Sequence, residues 1–437
     1  MQINALAAYQ AGGPLRPFTY EAGPPEGHQA LIKVHACGLC HSDLHVLDGD
    51  WGAVEYPLVP GHEIIGEVAA LGPLAAHVSI GERVGVGWQN GACLHCRDCL
   101  RGHDNLCDDQ TATILGGRGG FADYLLVDAR FAFPIPESLS SNAAGPLLCG
   151  GVTVYSGLRH AGMGSGQNIG VVGLGGLGHL AVQFAAKLGN RVTAFTTSPD
   201  KAEFAASLGA TEAVVLEPAG RFPAPKRKLD IILDTVPHTL DWEGCLSHLE
   251  SDGVLNVVGV PVEPLSVPVL AFQDKRRRIM GSSIGSRSEM RDMLALAAEY
   301  GILPLVETFP FSGAKEALDR LRANAIRYRA VLVQDEQGTG SPALRLLVAR
   351  RHPFRRGDFF DLCRYDYRAA DLVCFYGGRR VCRGRAVQRS AAHPERATPG
   401  QRNSARAVRL ELHHLAGHDS AHRSGNTRCP APSGQRC

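Results

Sequence analysis

The sequence predicts an α/β chain of two domains, one rich in β-strands and the other a doubly wound parallel sheet, followed by an arginine-rich tail. Three observations carry this prediction. Residues 168–195 read as strand, glycine turn, helix and strand; Cys93, Cys96, Cys99 and Cys107 crowd into one short lobe; and the composition changes abruptly near residue 337. At 437 residues the chain is too long for one ordinary core.

The cysteine lobe, GACLHCRDCLRGHDNLC, has the spacing C-x2-C-x2-C-x7-C, which closes a tetrahedral tetrathiolate around one zinc ion. Four thiolates leave no open position, so this zinc is structural and pins a loop. The alternative is a set of reduced thiols or a disulfide pair. The start, MQINALAAYQAGG, lacks the charged and apolar regions of a secretory leader, which argues against a disulfide framework. No stretch approaches the roughly 18 to 20 apolar residues of a membrane span, so a soluble cytoplasmic protein without membrane contact is expected.

A net charge of +2 hides a split: Met1 to Glu336 holds about 26 basic and 36 acidic residues, whereas residues 337–437 hold about 19 arginines, no lysine and 7 acids. That tail lacks Lys, Ile, Met and Trp and shows no sustained periodicity, so disorder is expected. Its composition fits an out-of-frame read through the stop of a GC-rich gene; a basic arm binding nucleic acid is the alternative. His414, His418 and His422 fall four apart, but Gly417 weakens any helix that would bring them together.

In the middle of the chain an apolar strand from Asn168 runs into Gly173, Gly175 and Gly178 at G-x-G-x-x-G spacing, and helical periodicity follows from Leu180. Such glycines permit a tight turn and close approach of a diphosphate to the backbone, while the helix N-terminus offers unpaired N–H groups. Gly173, Gly175, Gly176, Leu177 and Gly178 are therefore the candidate diphosphate cradle. The next strand, Arg191 to Phe195, ends in Thr196-Thr-Ser-Pro-Asp-Lys201 instead of the carboxylate that usually holds the NAD ribose. Thr196, Thr197, Ser198 and Lys201 can donate to a 2′-phosphate, which favours NADP(H) over NAD(H). The same residues also suit a helix cap, and the two roles can coexist.

Upstream lie Cys37-Gly-Leu-Cys40-His41-Ser42-Asp43, then Pro60-Gly-His62-Glu63 and, later, Leu148-Cys149-Gly150. Each alone is ambiguous, since a cysteine pair can be redox active and a lone histidine or cysteine can be core. Together they supply two cysteines and one histidine with an open fourth position, the set of a catalytic zinc.

With CGLCHSDLH, PGHEIIGEV, the cysteine lobe, GGFADYL, AGPLLCGGVTVY, VGLGGLGHLAVQ and a closing Arg327-Tyr-Arg, the chain from about Ala5 to Val333 resembles the zinc-containing medium-chain alcohol dehydrogenases. Within them it is most similar to the cinnamyl-alcohol-dehydrogenase-like branch and to bacterial NADPH-dependent aldehyde reductases of broad specificity. The resemblance implies a GroES-like catalytic domain over 1–147 and 284–336 and a Rossmann domain over 148–283, with 337–437 outside the family pattern. It implies two zinc ions, one held by Cys40, His62 and Cys149 and one by the four-cysteine lobe. Glu63 would be an alternative ligand and Asp43 the carboxylate behind His62. Ser42 would pass a proton to the substrate oxygen, resupplied through the cofactor ribose by His45. His41 and Val258 would lie by the cofactor, and Trp51 and Trp88 would wall an apolar pocket of broad selectivity. The implied reaction is reversible aldehyde reduction by hydride from NADPH, in a homodimer.

Two other classes deserve comparison. A zinc-finger nucleic-acid protein would use the lobe and the tail, but the body is net acidic, with no basic patch interleaved with aromatics. A zinc-free quinone reductase or silent relative would lack Cys40, His62 and Cys149.

Overall fold

The computed structural model of the protein describes residues 1–334 apart from 53, 117, 218–220 and 262, together with the backbone of 362–366, 371–376 and 379–385. The chain divides into two units, Met1–Gly340 and Ser341–Cys437.

In the first unit, six strands form an all-parallel sheet in the spatial order Glu212–Val215, Arg191–Thr196, Asn168–Val172, Leu229–Asp234, Leu249–Val257, Arg278–Gly281. Numbered along the chain this is 3-2-1-4-5-6, the order of the dinucleotide-binding fold. The central strands are short apolar runs, such as Ile231-Ile232-Leu233, because helices cover both faces. Val172 stands opposite Phe195 on one side and Asp234 on the other. The strand order reverses here, and the glycine turn starts at this point.

The second sheet is mixed, in the order Val306–Pro310, Arg329–Val333, Gln29–Leu39, Glu63–Leu71, Arg83–Val86, Ala132–Pro134, with Tyr124–Asp128 also paired to Gln29–Leu39. Strand Gln29–Leu39 is its hub. Gly38 pairs with Glu63 in register, so the ends of two neighbouring strands deliver Cys40, His62 and Glu63 to one spot. One buried apolar cluster contains Ile65 and Val331 from this sheet, Leu233 from the parallel one and Leu180 from the helix after the glycine turn, together with Leu147 and Leu148. The two sheets therefore share an apolar core.

In the second unit, Leu362–Asp366, Asp371–Tyr376 and Arg379–Arg385 form an antiparallel sheet. This differs from the absence of periodicity expected there, and the run Leu372-Val-Cys-Phe-Tyr376 supplies the strand-favouring residues. The remainder of that unit, His414, His418 and His422 included, lies outside the described residues.

At the head of helix Gly178–Lys187, a Cβ on Gly178 would collide with the carbonyl oxygen of Gly173, which itself adopts φ 89°. Gly178→Ala is therefore expected to cost about 1–3 kcal/mol through overpacking of the turn. Urea unfolding checks this, and an unchanged midpoint would contradict the packing described.

Candidate active site

Cys40 follows the hub strand and caps helix His41–Asp48. Three donors converge on the carboxylate of Asp43, which is fully buried. The N–H of Cys40 donates to Oδ2 at 2.9 Å, and the N–H of Gly61 and Nδ1 of His62 each reach Oδ1 at 2.9 Å. With its Nδ1 proton so engaged, His62 turns Nε2 toward Cys149 Sγ, 3.3 Å away. Cys149 lies in a π-helical turn, Leu147–Gly151, a widened geometry that recurs at functional sites. Its sulfur is 3.9 Å from Cys40 Sγ.

Glu63 completes the cluster. Its carboxylate crosses the space that Gly38 leaves open, since a Cβ there would overlap Oε2. One oxygen is paired with the buried guanidinium of Arg329, and the other, Oε2, is buried with no hydrogen-bond partner among the described residues. One ligand atom from each of Cys40, His62, Glu63 and Cys149 lies within 4.8 Å of the others. Two sulfurs, one imidazole nitrogen and an unpaired carboxylate oxygen form a donor set that suits zinc.

Burial and mutual hydrogen bonds shift all four groups. The hydrogen bond with Cys149, opposed by burial and aided by His62, holds Cys40 well below the usual thiol range, while that same bond and burial push Cys149 well up. Burial works against a charged His62, yet the charge and hydrogen bond of Asp43 outweigh it and hold the imidazole above its ordinary value. Burial also pushes Glu63 up to about 7 against the pull of Arg329. These groups share protons that a divalent cation would release.

Cys93, Cys96, Cys99 and Cys107 form the second cluster, with their sulfurs also within 4.8 Å of one another. The N–H of Cys96 points at Cys93 Sγ (3.3 Å) and that of Cys99 at Cys96 Sγ (3.5 Å), and all the cysteines described in the structure are free of disulfides. Hydrogen bonding from the His95 N–H brings Cys93 down to about 6, whereas burial and the neighbouring thiols push Cys99 up to about 12.

The cofactor turn lies next to the first cluster. A Cβ on Gly150 would stand 3.6 Å from the Gly176 carbonyl oxygen, and one on Gly176 would be 3.0 Å from both Arg329 Nη1 and the carbonyl oxygen of Tyr328. A Cβ on Gly175 would meet nothing within 4 Å, which leaves open space above the turn for a diphosphate. Leu177 caps the helix. Val258 is buried, and its N–H donates to the carbonyl of Asp234 at 2.9 Å. At the second strand tip, Thr196 is buried and accepts the N–H of Ser198, and Ser198 accepts that of Lys201, so these hydroxyls serve as caps. Thr197 and Lys201 are exposed.

Around the mouth, Ser42 Oγ is 3.6 Å from Cys40 Sγ, and His41 is exposed at the first turn of its helix. His45 pairs with Asp50 (2.8 Å) and stacks on Trp51 at 5.1 Å; Trp51 meets Trp88 edge-on at 5.9 Å, and Trp88 meets His62 at 5.2 Å. Trp88 also lines an apolar cleft with Phe131, Leu148, Ile284 and Met290, while Trp51 stands outside it. Sequence reasoning missed Arg329, Asp50 and the cleft wall at Ile284. Only the closing Arg327-Tyr-Arg hinted at the first.

The alcohol dehydrogenase GroES-like domain model matches residues 26–137, and the zinc-binding dehydrogenase model matches 176–299. An aldehyde reductase of Synechocystis is 39% identical over 330 residues, covering 76% of this chain and 98% of its own. The chain belongs to the zinc-containing alcohol dehydrogenases of the medium-chain family. Aldehyde reductase YahK of Escherichia coli is 39% identical over 344 residues, covering 76% of this chain and 98% of the relative. Among solved structures, a cinnamyl alcohol dehydrogenase of Sorghum bicolor superposes with TM-score 0.72 at 38% identity, covering 76% and 98% of the two chains. The Helicobacter pylori enzyme complexed with NADP(H) gives 0.71 at 27% identity, covering 77% and 99%. The chain is thus an alcohol or aldehyde oxidoreductase with a GroES-like and a Rossmann domain. No described helix is long and apolar enough to cross a membrane.

Removing the carboxylate behind His62 frees its tautomer. Asp43→Ala is expected to weaken zinc at the Cys40–His62–Cys149 set by about 10- to 100-fold while the four-cysteine lobe keeps its metal. Competition against a chromogenic chelator measures both, and equal retention by the two sets would contradict the assignment.

Proposed function

We propose that this dehydrogenase reduces a broad range of aliphatic and aromatic aldehydes to primary alcohols with NADPH, reversibly, in the cytoplasm. The observation that supports the reading is the approach of the glycine turn to Gly150, the neighbour of Cys149, where an added Cβ would stand 3.6 Å from the Gly176 carbonyl oxygen, so that cofactor and metal would lie side by side. Two zinc ions are assigned, one to Cys40, His62 and Cys149 and one to Cys93, Cys96, Cys99 and Cys107. When bound, the catalytic zinc would polarise the substrate carbonyl and NADPH would supply the hydride.

The chain's own groups do the rest. Asp43 keeps Nε2 of His62 free to ligate. Glu63 Oε2, without another partner, is placed to replace a departing ligand during exchange. Ser42 donates a proton to the substrate oxygen, and His45, hydrogen-bonded to Asp50 at the mouth, restores it from solvent. Trp88 and the apolar cleft take the substrate's tail, with Trp51 edge-on to Trp88, and His41 serves the cofactor phosphates. NADPH is favoured because Thr197 and Lys201 stand exposed at the second strand tip, where an acidic residue would repel a 2′-phosphate. The Helicobacter relative complexed with NADP(H) supports the same choice.

A homodimer is proposed through Arg278–Gly281, which ends the parallel sheet, with Ile279 and, nearby in sequence, Val269 and Leu270 exposed. Every residue given a role precedes 334, so the segment from Gln337 contributes none of them.

Steady-state oxidation of NADPH and of NADH with cinnamaldehyde and with a medium-chain aldehyde tests the reading. NADPH should be preferred, both aldehydes should turn over, and Ser42→Ala should lower kcat by about 100-fold or more with zinc content unchanged. Preference for NADH would overturn the cofactor assignment, and a Ser42→Ala variant of full activity would overturn the relay.

A further inference from the structure

His179 belongs to neither metal set, and its position says what it does. It is the second residue of helix Gly178–Lys187 and is fully buried. Nε2 lies 3.2 Å from the backbone nitrogen of Leu305, whose N–H can only donate, so Nε2 accepts. The ring proton therefore sits on Nδ1 and is given to the carbonyl of Gly175 at 2.9 Å. That carbonyl also accepts the backbone N–H of His179 at 3.2 Å. Burial pushes the imidazole down to about 4, which keeps it neutral and both roles fixed. Its ring packs 4.8 Å from that of Tyr328, the residue before Arg329.

One turn on, Gln183 repeats the connection. Its Nε2 donates to the Leu303 carbonyl at 3.0 Å, and its Oε1 accepts the Leu303 N–H at 3.3 Å. Residues 303–305 lead directly into Val306–Pro310, a strand of the sheet that delivers the zinc-site ligands. The helix behind the glycine turn is thus joined to that sheet by two side chains, and only His179 also touches the turn.

We infer that His179 is a positioning residue for the cofactor diphosphate. It holds the Gly175 carbonyl inward, so that the N–H groups that follow face the open side of the turn, and it ties the turn to the domain that carries the zinc ligands. The inference rests on reading that turn as the nicotinamide-cofactor site.

Two substitutions separate the halves of the role. In His179→Asn the amide Nδ2 takes the place of Nδ1 and keeps the bond to Gly175, whereas in His179→Gln Oε1 takes the place of Nε2 and keeps only the bond to Leu305. NADPH affinity is measured by cofactor fluorescence on the intact zinc-loaded chain, with thermal unfolding alongside. His179→Asn should bind within about 3-fold of the unaltered protein and His179→Gln about 10-fold more weakly, the worth of one well-made buried hydrogen bond. Equal NADPH affinity in both variants, with only the unfolding temperature lowered, would mean a purely structural histidine and overturn the inference. An unaltered chain that binds neither NADPH nor NADH would instead overturn the reading of the turn, and the inference with it. Should a variant not fold, the 15N spectrum of histidine-labelled unaltered protein decides. A neutral ring protonated on Nδ1 whose signals move on saturation with NADPH is expected, and one that does not move would overturn the inference.

Discussion

The active site depends on a single carboxylate with no contact to water. Asp43 accepts from the head of its own helix, from the Gly61 turn and from His62. A buried carboxylate with three donors is well compensated, whereas the loss of those donors would leave a charge costing several kcal/mol. The arrangement therefore acts in both directions. The donors satisfy both oxygens of Asp43, and Asp43 fixes the ring of His62 with Nε2 toward the sulfurs.

A second buried pair extends this logic to the cofactor side. Glu63 has one oxygen on Arg329 and one left unsatisfied, an arrangement a fold would not keep in its core without return. Arg329 also stands against Gly176, so the same guanidinium borders both the cluster around Glu63 and the glycine turn. The shared apolar core, with Leu147 and Leu148 between the sheets, keeps these charges in register. The Cys40–His62–Glu63–Cys149 cluster and the glycine turn are thereby constrained by one set of contacts.

Much of this was legible in the sequence because few residue types bind zinc and few turns need glycine at such spacing. Cys40, His62, Cys149 and the four-cysteine lobe announced themselves by chemistry, and the parallel sheet by its alternation of apolar runs and helical stretches. Arg329 did not, because its partner lies 266 residues away and an arginine carries no local sign of burial. His179 was invisible for the same reason, since Leu305 is 126 residues on. Thr196 and Ser198 were legible both as phosphate donors and as helix caps, and the structure shows their hydroxyls accepting backbone N–H groups, the capping role. The strands after residue 361 were missed because arginine and glycine interrupt the apolar runs.

The most direct test of the account is zinc K-edge X-ray absorption on the intact chain, with zinc per chain measured on the same sample. Two occupied sites, one of four sulfurs and one of two sulfurs and an imidazole, predict an average shell of about three sulfurs at about 2.3 Å with about one nitrogen or oxygen. One zinc per chain in an all-sulfur shell would contradict it, for the cluster around His62 would then be a proton-sharing core with no metal to work on.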